Sequence, residues 1–291
     1  YNLYSQNSED FSMGVNAGFD LHNWLVTEGN GVGVKLGVIY RPIHELRLGL
    51  SYHSPTWYNM KDRYSAEIVE DVTEYVNKET GEYAGNYNKD YEPGSTFSGE
   101  KRNEYDFKSP DKWTASAALI MGDNMILSVD YELTNYSSMK YSTPNSNYGY
   151  SRGHFDNSNS YISSDYKSSS VVRAGFEYRF TRQFSGRLGY AWMQNPYDTK
   201  FKNYRGDAMT VGSTTAFRME GDANYFTGGF GYRFNRNFYA DFAVVYKTQD
   251  DELYSYPNVL DASRTNKVID AEPYKLTNNA IKALITIGYN Y

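Results

Sequence analysis

The residues able to do chemistry are few. Cysteine is absent, which removes disulfides, thiolate metal sites and cysteine catalysis together. Only four histidines occur, His22, His44, His53 and His154. His154 stands two residues before Asp156 in a polar stretch. That is an acid–base pair by residue type, but no second histidine or serine motif accompanies it, and a His-x-Asp pair in a loop is ordinarily surface. No Gly-x-Ser-x-Gly, phosphate loop or zinc-binding histidine pair appears. Asp250-Asp251-Glu252 has the oxygen donors for calcium, although an acidic loop tip is usually solvated. Arginines are more promising. Arg47, Arg173, Arg187 and Arg233 each interrupt an apolar series and could neutralise the carboxylate head of a ligand. Asp130, Glu132, Glu177 and Asp241 recur in the same way and would equally well pair with those arginines. No catalytic residue, metal site or cofactor is expected.

What must position these arginines is a set of strands. Among 291 residues are 31 tyrosines and 15 phenylalanines, yet the mean hydropathy is −0.71. No segment approaches the ~20 apolar residues of a membrane-spanning helix. Disorder is excluded by the wealth of aromatic and β-branched residues. A net charge of −6 argues against a general basic field for nucleic acid. A soluble all-β protein or a transmembrane β-barrel remains, the latter because alternating strands escape hydropathy averages.

Two-residue alternation, the period of a strand with unlike faces, recurs nine times. In residues 31–41, Val32, Val34, Leu36, Val38 and Tyr40 oppose glycines and Lys35. Leu46 to Tyr52, Trp113 to Leu119, Leu127 to Leu133, Val172 to Phe180 and Phe184 to Trp192 follow. Phe226 to Phe234, Phe238 to Tyr246 and Ile281 to Tyr291 complete the series. Short links at residues 42–45, 122–124, 181–183 and 235–237 alternate with long polar excursions at 56–106, 137–168, 194–224 and 248–277. A soluble sandwich or barrel, whose apolar face is its core, has no reason to put every long loop at one end. Outer-membrane barrels do, with short periplasmic turns and long extracellular loops. Tyr40, Tyr52, Trp113, Phe180, Trp192, Phe234, Tyr246 and Tyr291 then suit the interfacial girdles. A terminal aromatic such as Tyr291 is the signal by which the barrel-assembly machinery recognises a last strand. Outer-membrane lipid and lipopolysaccharide are the surroundings that such a surface implies.

Nine strands are an odd number, whereas bacterial single-chain barrels have even ones. Either a tenth strand lies within residues 11–21 or more strands precede Tyr1. The chain opens with neither methionine nor signal peptide, so a processed or truncated form is expected. A ten-stranded barrel would also admit a rim-active hydrolase using His154, or a structural or surface-recognition barrel.

Residues 31–42, Gly-Val-Gly-Val-Lys-Leu-Gly-Val-Ile-Tyr-Arg-Pro, lead to residues 46–58, Leu-Arg-Leu-Gly-Leu-Ser-Tyr-His-Ser-Pro-Thr-Trp-Tyr. Together they resemble the FadL family of outer-membrane transporters for hydrophobic compounds, particularly its Bacteroides-like members. Ser109-Pro-Asp-Lys-Trp113, residues 127–133 with Tyr136-Ser-Ser, residues 172–179, and residues 187–192 with Asn195-Pro-Tyr fit the same pattern. The resemblance covers most of residues 21–291. It implies passive uptake of long-chain fatty acids or aromatic compounds through a 14-stranded barrel with an N-terminal hatch and a lateral exit. On that pattern residues 1–291 form one barrel domain lacking the hatch and about five strands, with 56–106 a long extracellular loop. The hatch's Asn-Pro-Ala motif and the gate strand would lie upstream of Tyr1, so no gate residue carries over.

Overall fold

Successive side chains of a pleated strand point to opposite faces, so the alternation above dictates sheets. The computed structural model describes residues 2–11, 15–72, 87–91, 101–144, 153–203, 216–235, 237–261, 263 and 266–289, with side chains from Trp24 onward except at 66–72, 87–91 and 101. The strands are β1 (Asn2–Phe11), β2 (Val15–Val32), β3 (Lys35–Tyr40), β4 (Leu46–His53), β5 (Trp57–Val72), β6 (Tyr87–Tyr91), β7 (Lys101–Lys108), β8 (Lys112–Met121) and β9 (Met125–Asn135). They continue as β10 (Lys140–Ser142), β11 (Ser168–Arg179), β12 (Phe184–Met193), β13 (Phe217–Met219), β14 (Ala223–Arg233), β15 (Phe238–Tyr254), β16 (Val259–Leu260), β17 (Lys267–Ile269) and β18 (Tyr274–Tyr289).

Nine of these form one antiparallel wall in the order β3-β4-β8-β9-β11-β12-β14-β15-β18. They correspond to the nine strands that the alternation predicts, except that the segment 31–41 breaks at 33–34 and leaves Gly31 and Val32 in β2. Short links join them in pairs and are closed by side chains. Thr181 Oγ1 accepts from Phe184 N at 3.0 Å, and Asn235 Oδ1 accepts from Phe238 N at 2.8 Å. Among the described residues β3 pairs only with β4 and β18 only with β15, so each outer edge of the wall carries no partner strand.

Register aligns one apolar face across the wall. Leu50 lies opposite Val38 and Ala115, Phe176 opposite Leu127 and Leu188, and Phe242 opposite Phe230 and Ile285. This face is not a core: Leu188 is 66% exposed, Ile285 72% and Phe230 48%. Water does not tolerate a contiguous apolar surface beyond a few hundred Å2 on a monomer, whereas hydrocarbon does. The few buried apolar residues among those described, Ile162, Val171, Ala223, Tyr254 and Ala271, gather at the long-loop end. There a helix, Asp156–Asp165, packs with neighbouring loops into a cap.

A second sheet, β1-β2-β5-β7-β10 with β6 on β5, continues the same chain beyond the wall. The described part of the excursion at 56–106 is therefore strand, not irregular loop. Residues 15–21, within the segment considered for a tenth wall strand, belong to β2 and pair with β1 and β5 instead. A seam divides the two sheets. At residues 33–34, 54–56 and 109–111 the strands break together, and serine hydroxyls next to Pro55 and Pro110 replace ladder partners. Ser54 Oγ accepts from Val34 N at 2.9 Å and Ser109 Oγ from Thr56 N at 2.8 Å. The seam also changes the count. Leu36 faces Tyr52 and Val32 faces Trp57, so β4–β5 spends one residue more than β2–β3 in crossing it. The chain between β8 and β7 carries the same extra residue, since Trp113 faces Tyr52 and Lys108 faces Trp57.

Candidate functional site

The polar face of the wall is built mostly from small residues. Gly37 faces Ser51, Gly49 faces Ser116, Gly175 lies between Ser128 and Gly189, and Gly231 faces Ser185 and Asp241. Charged side chains stand on this smooth surface. Arg173 Nη1 bonds Glu132 Oε2 at 3.2 Å, and Lys112 Nζ meets the other oxygen of Glu132 at 3.5 Å. Arg187 is held between two acids, Glu177 Oε2 at 2.9 Å from Nε and Asp241 Oδ1 at 2.9 Å from Nη1. Arg47 lines a groove of about 490 Å3 with Gly37, Gly49, Ser116 and Asp130, and has no ion-pair partner among the described residues. Arg233 lies at the short-turn end, where its N–H donates to Gln183 O at 2.8 Å. The four arginines thus occupy three separate regions of one face and do not converge on a single point.

Aromatic side chains mark both ends of the strands. Tyr52 and Trp113 meet with ring centroids 4.5 Å apart, and Tyr246 packs on Phe226 at 6.4 Å. At the other end Phe180 touches Tyr178 and Phe184, and Phe234 touches Tyr232 and Phe238. Tyr40 ends β3, and Trp192 stands near the end of β12. Phe184 and Trp192 are eight residues apart on β12, roughly 26 Å along the strand at ~3.3 Å per residue. A tilt of about 40° reduces this to ~20 Å, near the ~25 Å apolar band of an outer-membrane barrel. Tyr291 lies outside the described residues.

Beyond the seam the second sheet has its own unlike faces. Register puts Tyr58, Met60, Tyr105, Phe107 and Tyr141 on one face. Phe107 contacts Tyr141 at 5.1 Å, Tyr105 contacts Tyr141 at 5.5 Å, and Phe155 stacks on Tyr141 at 5.7 Å. The opposite face is polar, with Lys61 paired to Glu104 at 2.9 Å and Asn59 bonded to Asp106 at 3.0 Å. Asn159 of the loop helix pins the aromatic face from its end. Its amide accepts from Tyr141 N at 2.8 Å and donates to Tyr141 O at 2.9 Å, as a further strand would.

The cap is held by buried polar groups. Asp251, fully buried, pairs with Arg218 and accepts from Gly221 N at 3.0 Å. Asn258 donates to Asn203 Oδ1 at 3.0 Å and accepts from Ala271 N at 2.9 Å. Asp250 accepts instead from Thr277 and Glu252 from Tyr254, so the three acids 250–252 serve three separate partners and form no shared cation site.

Burial pushes the hydroxyl of Tyr105 up to about 12, helped by the Asp62 carboxylate 3.4 Å away. It raises Tyr141, Tyr166, Tyr197 and Tyr254 in the same direction. The fold favours the neutral phenols. Their contribution is therefore complete below pH 10.0, the ordinary tyrosine value, and is lost as pH climbs toward about 12. Melting temperature and phenolate absorbance followed together through this window should show the cap and second sheet loosening with tyrosine ionisation. No dependence from this source is expected at neutral pH.

His154 packs edge-on against Phe155 at 4.7 Å. In the long excursion the side chains of Tyr75, Tyr83, Tyr87, Tyr91 and Phe97 lie outside those described. Tyr105, Phe107, Tyr141 and Phe155 belong to no long alternating segment of the sequence. Aromatic and charged residues alternate over 104–108, a strand period at the end of the polar excursion 56–106.

The family model described as outer membrane protein transport protein (OMPP1/FadL/TodX) matches residues 3–291. The chain belongs to this family. A solved FadL homologue from Pseudomonas aeruginosa is similar in fold, with a TM-score of 0.53 and 14% identity over 97% of this chain. The chain spans 66% of the length of that relative. No curated protein matches the sequence. The all-β reading and the outer-membrane location expected from alternation and loop asymmetry thus hold for this OMPP1/FadL/TodX protein. The open apolar face of its wall is the surface that such a location requires.

Proposed function

We propose that the chain forms part of an outer-membrane path for passive uptake of hydrophobic small molecules, long-chain fatty acids or aromatic compounds. The observation that carries this reading is the aromatic face of the second sheet. It lies in line with the same strands whose polar, small-residue face forms the wall. A solute leaving water would lie on Tyr105, Phe107 and Tyr141, then pass the seam to the glycine- and serine-rich surface. Glycine leaves room there for a bulky guest, and Arg47, with no acidic partner among the described residues, offers a counter-charge to a carboxylate. Arg173, Arg187 and Arg233 could contribute more weakly, since the first two are already paired.

The wall is one barrel domain, in this reading closed between β3 and β18 by about five further strands and fitted with a hatch. Open sheet edges do not persist in hydrocarbon. The solute leaves laterally into the bilayer. The two aromatic clusters, with Tyr291, form interfacial girdles toward lipid and lipopolysaccharide, and the last strand is read by the barrel-assembly machinery. The test is uptake of a labelled long-chain fatty acid and of an aromatic hydrocarbon by cells deleted for the protein and complemented with it. Complementation should restore uptake of at least one of them and leave a small hydrophilic solute unaffected. Equal uptake of every solute with and without the protein defeats the proposal.

A further inference from the structure

At the short-turn end, away from the aromatic face, the polar face closes into a basin of about 460 Å3. Guanidinium groups of Arg179, Arg182, Arg187 and Arg233 line it against only two carboxylates, Glu177 and Asp241, leaving a net charge of +2. Both carboxylates are engaged with Arg187, each at 2.9 Å. Arg179, Arg182 and Arg233 have no ion-pair partner among the described residues. Gly231 keeps the floor open. A Cβ there would overlap Asp241 Oδ1 and come within 3.3 Å of Ser185 Oγ, so glycine lets the Asp241 carboxylate lie across β14 and reach Arg187. Arg187 is thereby held between two carboxylates, and Arg179, Arg182 and Arg233 line the same basin with Ser185, Gln183 and Tyr239.

We propose that this basin binds a dianionic oxyanion, the phosphate monoester group or phosphate itself. Three guanidinium forks without acids suit phosphoryl oxygens, to which arginine bonds in pairs. A residual charge of +2 matches a phosphate monoester, which carries about −1.5 to −2 near neutrality. An uncharged apolar solute would gain nothing from so polar a lining, so binding of a dianion here does not depend on the aromatic face. The oxyanion has two sources, free phosphate or the head group of a phosphomonoester lipid reaching the rim.

The full-length protein in neutral detergent is titrated with inorganic phosphate by calorimetry, beside Arg182→Gln/Arg233→Gln and Arg182→Lys/Arg233→Lys. Native mass spectrometry from nanodiscs then compares retention of phosphatidic acid with that of phosphatidylcholine. One saturable phosphate per chain is expected, weakened about tenfold or more in the glutamine variant and less in the lysine variant, as loss of charge-assisted hydrogen bonds predicts. Selective retention of phosphatidic acid that the glutamine variant abolishes assigns the lipid source; phosphate binding without that selectivity assigns the free ion. Absence of both overturns the proposal, as does binding that the glutamine variant leaves unchanged. A variant that melts lower while neither form binds phosphate would mean that an acidic protein segment fills the basin, which also overturns it. Unheated gel mobility of the folded barrel confirms that each variant has assembled.

Discussion

Phe107→Asp combined with Tyr141→Asp should reduce capture of a hydrophobic solute about a hundredfold while the barrel still assembles. A solute lying flat on this face would cover on the order of a third of the 150–250 Å2 that an aromatic side chain can bury. At ~25 cal/mol per Å2 that amounts to about 1.5 kcal/mol for each ring, or about 3 kcal/mol for the two. Two orders of magnitude in affinity follow. The carboxylates add repulsion toward a fatty-acid head, so the loss should be larger for a fatty acid than for an uncharged aromatic. Both positions lie beyond the seam, in β7 and β10, where they pack against each other and Tyr141 stacks on Phe155. Wall strands are untouched, and heat-modifiable gel mobility should be unchanged. Binding of a fluorescent fatty acid to purified protein reads the effect directly. Affinity equal to wild type would remove the aromatic face from the path.

Arg218→Met should loosen the cap by about 3 kcal/mol or more. Its partner Asp251 has a fully buried side chain, and without the guanidinium that carboxylate keeps only Gly221 N at 3.0 Å. Breaking a buried pair from one side costs roughly 3–5 kcal/mol because the surviving charge has neither water nor counter-ion. The effect should spread along one chain of bonds, since Gln249 Nε2 donates to Gly221 O at 2.8 Å. Hydrogen exchange should quicken at residues 221–223 and 249–251 and stay slow in the wall. Replacing both partners, Arg218→Met with Asp251→Leu, should recover most of the loss, because no uncompensated charge then remains. If the single variant exchanges like wild type, the pair is not what orders the cap.

The wall was legible because one of its faces meets a uniform apolar solvent. Hydrocarbon enforces alternation strictly, and Val172, Ala174, Phe176 and Tyr178 therefore announce β11 and its outward face without reference to any other strand. Among the described side chains the second sheet has charged groups on one face and a handful of rings on the other, so residues 57–72 read as polar chain although they form β5. Its bonds are also of kinds that leave no period. Asn159 acts on the backbone of Tyr141, 18 residues away, and Ser109 stands in for a ladder partner 53 residues from Thr56. The arginines were legible by type alone. That Arg187 takes both Glu177 and Asp241, 10 and 54 residues distant, depends on register between strands and on the missing side chain at Gly231. Arg179 and Arg182 gave no such signal, one at a strand end and one in a turn.

The extra residue that β4–β5 and the chain between β7 and β8 both spend at the seam sets a rule for how this family can vary in length here. Loss of that residue from 54–56 alone would turn Tyr58 and Met60 to the charged side while Phe107 and Tyr105 stayed where they are. A matching loss from 109–111 would turn both strands together and keep their rings opposed. Natural insertions and deletions at these two Ser-Pro sites should therefore be inherited as a pair.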